Sequence, residues 1–250
     1  MKKNLKIAWL WNDAMNRNGS QGNILALSRR LEWRGIGCEI VTVPVGTEPE
    51  LSDCDILYLG AGLPYENAPL LSALNTTAPK IREYIGRGGV MLAVCEGLEL
   101  MGRSITLPDG RILPGAAAAP LKTVYGEKRV AGILLFEFGK TTVAAFENHA
   151  GSIELEEAAE GLGKLLAGQG NKAGDERVGV RYRNFFGAHA YSLLPCNVAL
   201  CDAILLAALR REDEKAVLTD LNDSFETLAH ELTVSKIRQE SNHERKSTGN

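Results

Sequence analysis

Apolar residues follow two rhythms over the first hundred positions. Predominantly apolar runs occupy Leu5 to Trp11, Cys38 to Val45, Ile56 to Leu59 and Val90 to Val94. Between the first two runs, Ile24, Leu25, Leu27, Leu31 and Trp33 recur at helical spacing from Gly22 to Arg34. A second helix is predicted from Leu70 to Gly86, interrupted near Pro79, and a third starts directly after Cys95. Strands that are apolar throughout, alternating with helices, are those of a parallel sheet covered on both faces. The fold class is therefore α/β, with a doubly wound, mostly parallel sheet.

The texture changes near Gly110. Arg129 to Phe138, Thr141 to Phe146 and Val178 to Phe186 read as shorter strands joined by glycine-rich loops, and Gly161 to Gly179 as an exposed loop. Helix returns from Asn197 to Arg211. Beyond it, Leu218, Leu221, Phe225, Leu228 and Leu232 keep an amphipathic spacing that fades into the polar stretch Ser235 to Asn250. The expected organisation is one domain over 1–211, then a C-terminal helix and a disordered polar tail over 212–250.

Composition narrows the partners. The chain has 250 residues, 45% of them hydrophobic and 24% charged, with net charge −3. One large core is enough for that length. No long Lys/Arg block is present, so nucleic acid is not an expected partner. The apolar start is broken by Asn12 and Asp13, too early for a signal peptide or a membrane span. Five cysteines (Cys38, Cys54, Cys95, Cys196, Cys201) make an odd, irregular set without a Cys-x-x-Cys pair. That set suits a reducing cytoplasm and predicts neither disulfides nor a metal site, and no cofactor is indicated. Cys38 and Cys54 read as small buried hydrophobes.

In open parallel sheets, chemistry gathers at the carboxyl ends of the strands. Two unusual turns fall there: Gly60-Ala61-Gly62 after one strand and Cys95-Glu96-Gly97 after the next. A cysteine at a strand-to-helix turn sits at a helix N-terminus, where backbone N–H groups favour a thiolate. Attack on a carbonyl would build an oxyanion, for which the N–H groups of Glu96 and of Gly62 or Ala61 are the candidate donors. On this pattern alone, a cysteine that merely ends a buried strand is an equal reading.

Wider blocks tilt the balance. Gly22-Asn23-Ile24-Leu25, the Gly60-Ala61-Gly62 loop, Leu92 to Gly102 around Cys95, Arg129-Val130-Ala131-Gly132, Phe146-Glu147-Asn148-His149-Ala150-Gly151 and Gly187 to Asn197 span roughly the first 210 residues. Together they resemble the class I, triad-type glutamine amidotransferases of the cobyric-acid-synthase-like group, and within it the glutaminase subunits of lipid II isoglutaminyl synthase. The resemblance implies hydrolysis of glutamine to glutamate and ammonia through a γ-glutamyl thioester on Cys95, with His189 as the base and Arg129 holding the α-carboxylate of glutamine. It also implies a partner, a Mur-ligase-like ATP-dependent synthetase that uses the ammonia to amidate the peptidoglycan precursor. This chain carries no Gly-x-x-x-x-Gly-Lys-Ser/Thr loop, so ATP chemistry belongs to that partner.

Three positions depart from the family pattern. The elbow in the family reads Cys-Gly-Gly-(Tyr/Met)-Gln, and here Glu96 replaces the first glycine and Glu99 the glutamine. Both would oppose thiolate formation when ionised. Glu99 is also the candidate for contacting the substrate, and would suit a cationic group. The family's histidine falls on Tyr191 when counted from Gly187 and on Ala190 when counted back from Pro195, which puts His189 one or two residues out of register. The carboxylate that would orient the base is not evident; Glu147 and Asp202 are candidates. His149 reads as a structural or substrate-facing hydrogen-bonder, and His230 and His243 as solvated. Alternative readings are a degenerate binding or regulatory subunit and a cysteine hydrolase of another amide.

Overall fold

Order along the chain follows directly from the apolar runs. The computed structural model describes residues 4–247, with side chains through 237. Strand β1 (Asn4–Leu10), helix α1 (Gln21–Glu32), β2 (Gly37–Val43), β3 (Ile56–Leu59), α2 (Ala68–Gly86), β4 (Val90–Val94) and α3 (Glu96–Met101) make the first half. Helix α2 runs through Pro79 without the expected interruption. Proline removes one N–H donor, but Ala78, Ile81, Tyr84 and Ile85 are buried around it, and that packing keeps the helix whole.

The second half is richer in strand than its sequence predicts. It holds β5 (Ser104–Thr106), β6 (Ile112–Pro114), β7 (Leu121–Phe138), β8 (Thr141–Leu155), β9 (Gly163–Ala167), β10 (Arg177–Val178), β11 (Val180–Tyr182) and β12 (Phe185–Ala188). Strands β7 and β8 form one long antiparallel hairpin, with a register shift between Tyr125 and Val130 that leaves Gly126 to Arg129 bulged. Its polar half escapes a search for apolar runs. β9 lies inside the stretch expected to be loop, because it adds to an existing edge by pairing with β7.

Helix α4 (Val198–Leu209) follows, then α5 (Ser224–Ser247). The helix continues past Ser235, where disorder was expected, and covers a run free of glycine and proline. Val234 and Ile237 of α5 pack on Leu135 of β7, and Thr142 Oγ1 is 2.9 Å from His230 Nε2, so His230 is packed on β8 instead of solvated. His243 lies outside the residues whose side chains are described.

Two sheets result. The first has the order β11-β12-β4-β3-β1-β2, parallel except for the β11–β12 pair; the second has β10-β9-β7-β5-β6 with β8 beside β7. The doubly wound α/β expectation holds for the first sheet. One apolar core lies between that sheet and α1 and α4, including Leu27, Leu31, Phe186, Ile204 and Leu205. The other contains Leu57, Leu59, Leu74, Ile81, Met91 and Leu121, and joins α2 to the second sheet. Among the described residues no helix is long and apolar enough to cross a membrane.

Candidate active site

Register places the two candidate reactive residues side by side. Ala188 of β12 pairs with Val94 of β4, so Cys95 and His189 leave adjacent strand ends at the same level. The Cys95 N–H donates to the Ala188 carbonyl at 3.0 Å. Cys95 itself has φ 51° and ψ −125°, a strained conformation for a residue with a Cβ. It turns the chain from strand straight into α3.

The turn needs glycine beside it. A Cβ at Gly97 would lie 2.4 Å from the Gly60 carbonyl oxygen and 2.8 Å from that of Leu59, both backbone atoms. Absence of that Cβ lets α3 press against the Gly60-Ala61-Gly62 loop. Cys95 is thereby enclosed, 1% exposed, and packs with Ala61 and Tyr191. Tyr191, one of the two positions onto which the family's histidine counts, donates from its hydroxyl to the Asn148 carbonyl at 3.0 Å.

Glu96 occupies the place where an oxyanion would be expected. Its Oε2 accepts from the Gly62 N–H at 3.3 Å, and the Glu96 N–H also favours its charged form. One of the three candidate oxyanion donors, the Gly62 N–H, therefore already donates to a carboxyl group of the protein itself. Burial and the neighbouring Glu99 nevertheless push Glu96 up to about 7.

Glu99 is fully enclosed and is the hub of the site. Its Oε2 accepts from the Tyr65 and Tyr125 hydroxyls, the latter at 2.9 Å. Its Oε1 lies 3.0 Å from His189 Nε2, though the two are not aligned as a hydrogen bond and neither ring nitrogen of His189 makes one. Burial pushes Glu99 up to about 7 against the two tyrosine hydroxyls. Gly151 of β8 makes room for it, since a Cβ there would sit 2.7 Å from Glu99 Oε1.

His189 is buried, and its ring stacks on His149 with centroids 4.1 Å apart and planes at 35°. Burial and His149 push its pKa well below the usual imidazole value, so the ring is neutral. A neutral imidazole is the form that can take a proton. His149 is fixed in turn: Nδ1 lies 2.8 Å from the Gly151 carbonyl and Nε2 3.3 Å from Glu147 Oε2. Glu147 also accepts from the Gln169 and Gly170 N–H groups at 2.6 and 3.0 Å.

The carboxylate facing His189 is thus Glu99, a residue the sequence suggests for substrate contact. Glu147 is held on His149 and on backbone amides. Asp202 is elsewhere, bonded through its two oxygens to Arg30 at 2.7 and 2.8 Å and to Arg34 at 2.7 Å on the α1–α4 side. Arg129 stands exposed on the β7 bulge, with Nε donating to Asn148 Oδ1 at 2.6 Å, and among the described residues it has no ion pair. It is close enough to lower the pKa of Cys95, Glu96 and Glu99. The Cys95 thiol is still pushed well up, by burial first and then by the two carboxyl groups. Tyr65 and Tyr125 carry no motif and could not be found by spacing; Tyr191 and His149 lie in recognised blocks. Among the described residues, no group of three His, Cys, Asp or Glu side chains is set to hold a metal ion.

Comparison with known proteins matches the sequence to a family. Residues 6–194 match the CobB/CobQ-like glutamine amidotransferase domain. The chain is 27% identical over 240 residues to the lipid II isoglutaminyl synthase (glutamine-hydrolyzing) subunit GatD of Staphylococcus aureus strain N315, covering 94% of this chain and 97% of that one. It is 29% identical over 212 residues to the subunit of the same name from Streptococcus pneumoniae R6, covering 83% and 82%. A crystal structure of a glutamine amidotransferase superimposes with a TM-score of 0.57 at 15% identity, over 81% of this chain and 98% of the other, a likeness of fold.

Proposed function

The chain belongs to the CobB/CobQ-like glutamine amidotransferase family, and from that premise we propose that it is the glutamine-hydrolysing subunit of a synthase that amidates lipid II. The observation that carries the reading is the Cys95 elbow: a cysteine at φ 51° between a buried strand and a helix, packed on a glycine loop and level with His189. The near full-length match to two GatD subunits supports the acceptor.

The chemistry follows from the groups present. Cys95 Sγ attacks the carboxamide carbon of glutamine as neutral His189 takes the thiol proton. The resulting oxyanion needs the Gly62 and Glu96 N–H groups, so the carboxyl of Glu96 must swing off them as substrate enters. Protonated His189 then gives its proton to the departing nitrogen, ammonia leaves, and a γ-glutamyl thioester remains. Water, deprotonated by the same imidazole, attacks that thioester and releases glutamate and the Cys95 thiol. In this reading Arg129, at the exposed rim, holds the α-carboxylate of glutamine. Ammonia passes to a Mur-ligase-like ATP-dependent synthetase.

The test is glutamate release from glutamine by the purified chain with such a synthetase. Activity lost in Cys95→Ala supports the reading, and equal activity in that variant removes Cys95 from the reaction. A second reading, a binding subunit that no longer hydrolyses glutamine, is favoured by the Glu96 carboxyl on the Gly62 amide and by the misaligned His189. It predicts no glutamate from the complex and none from Cys95→Ala, with the synthetase still bound.

A further inference from the structure

At the edge of the first sheet opposite Cys95, four arginines converge. Arg87 precedes β4, Asn184 precedes β12, and Arg210 and Arg211 directly follow α4, so their meeting point lies at the amino ends of the strands whose carboxyl ends hold the reactive site. There Arg87, Arg181, Arg210, Arg211 and Asn184 wall a cavity of about 590 Å³ over the last turns of α4 at Leu206.

The charges in this cavity are poorly matched by the protein. Among the described residues no carboxylate lines it. Arg87 has a loose exposed contact with Glu83 at 3.5 Å. Arg210 donates to the Ala216 carbonyl at 3.1 Å and Arg211 to that of Cys54 at 3.3 Å, neither of them a charge partner. Arg181 lies flat on Phe186, 3.4 Å from the ring centroid, and its Nη1 is buried without a hydrogen-bond partner. Burial with no acid beside it draws that guanidinium down to about 10, still cationic at neutral pH. Helix polarity accounts for Arg210 and Arg211, since cations suit a helix C-terminus. It does not account for Arg181, which comes from β11, nor for the convergence. Arg181 is partly buried with no acid beside it, and together with exposed Arg87, Arg210 and Arg211 it concentrates positive charge around one cavity of a chain whose net charge is −3, a field that an anion would complement.

We propose that this cavity is a binding site for a small, multiply charged oxyanion of the phosphate class, such as pyrophosphate or the phosphate groups of a nucleotide. Guanidinium forks match tetrahedral oxyanions with two parallel hydrogen bonds. The volume admits more than one phosphate group. Arg181, stacked and held in place, supplies the fixed donor, and exposed Arg87, Arg210 and Arg211 close around the charge. The site is distinct from the Cys95 centre and stands whether or not glutamine is hydrolysed there.

Calorimetric titration of the full chain with pyrophosphate tests it, with ADP in a parallel arm and sulfate at matched ionic strength as the comparison. Wild type and Cys95→Ala are expected to bind pyrophosphate equally. Arg181→Gln is expected to bind at least about tenfold more weakly, the loss of one charge-assisted contact. Arg87→Ala with Arg210→Ala, at exposed positions outside the core, is expected to weaken binding similarly while leaving the melting temperature of the free chain unchanged. ADP binding that falls with the same variants would identify a nucleotide as the source of the phosphates, and pyrophosphate binding alone the free anion. Absence of pyrophosphate binding to wild type, equal affinity in all variants, or equal affinity for sulfate would overturn the proposal.

Discussion

A carboxyl group resting on backbone amides beside a thiol acts on that thiol in two ways. It occupies donors that would otherwise serve a developing oxyanion, and when ionised it raises the cost of a thiolate. Glu96 does both to Cys95. Replacing it with glycine, Glu96→Gly, is expected to make Cys95 alkylate several-fold faster at pH 7 and to shift the alkylation profile to lower pH. Exposed Cys196 is the internal reference, since its rate should not change. Peptide mapping after timed iodoacetamide labelling reads both rates, and an unchanged Cys95 rate would mean that Glu96 does not govern the thiol. The cysteine itself is legible because a strand, a cysteine and a helix in immediate succession leave few places for the thiol to go. The company of His189 is not legible, because it depends on which way one ring turns under β8. Counting residues places Tyr191 or Ala190 at the family's histidine, and only packing shows Tyr191 lying against Cys95 and His189 against Glu99.

At the scale of elements, the site exists because α3 and the Gly60 loop touch backbone to backbone. Gly97→Ala would push a methyl group into two carbonyl oxygens that cannot rotate away. Overpacking of this kind costs about 1–3 kcal/mol, and the expected fall in melting temperature is roughly 3–10 °C for a chain of this size. Gly86→Ala, at the end of α2 where an added Cβ meets nothing within 4 Å, should leave the melting temperature unchanged or slightly raised. Comparable melting of the two variants would contradict the close approach. The central parallel strands β3 and β4 were readable because burial on both faces leaves an uninterrupted apolar run, whereas edge strand β2 is largely exposed and interrupted by Glu39 and Thr42. β9 and the polar half of the β7–β8 hairpin were not, since those strands are held by pairing to neighbours and carry little hydrophobic signal of their own.

Across the whole molecule, two groups of charges do opposite work. Arg30 is 3% exposed and held by Asp202 and Asp223, tying α1 to α4 and to the approach of α5. Asp202→Ala leaves a buried guanidinium short of a partner and is expected to cost on the order of 3 kcal/mol, measured by urea unfolding. Glu96 and Glu99 do the reverse. Their pKa values rise from 4.5 to about 7 in the folded chain, so it binds their protons more tightly than the unfolded chain does. Their contribution to stability is full below about pH 4.5 and is lost as pH rises through about 7. The double variant Glu96→Gln, Glu99→Gln should therefore melt about 5 °C or more above wild type at pH 8 and close to it at pH 4. A gain that did not depend on pH would show that the two carboxyls are not the source.

The most direct test of the central claim is mass spectrometry of the intact chain, mixed with the proposed Mur-ligase-like synthetase, ATP and glutamine, and quenched in acid during turnover. The account predicts one added γ-glutamyl group, mapped to the peptide that holds Cys95 and absent from Cys95→Ala, together with released glutamate. Glutamate formed at the same rate by Cys95→Ala, or an unmodified Cys95 in a complex that releases none, would contradict it.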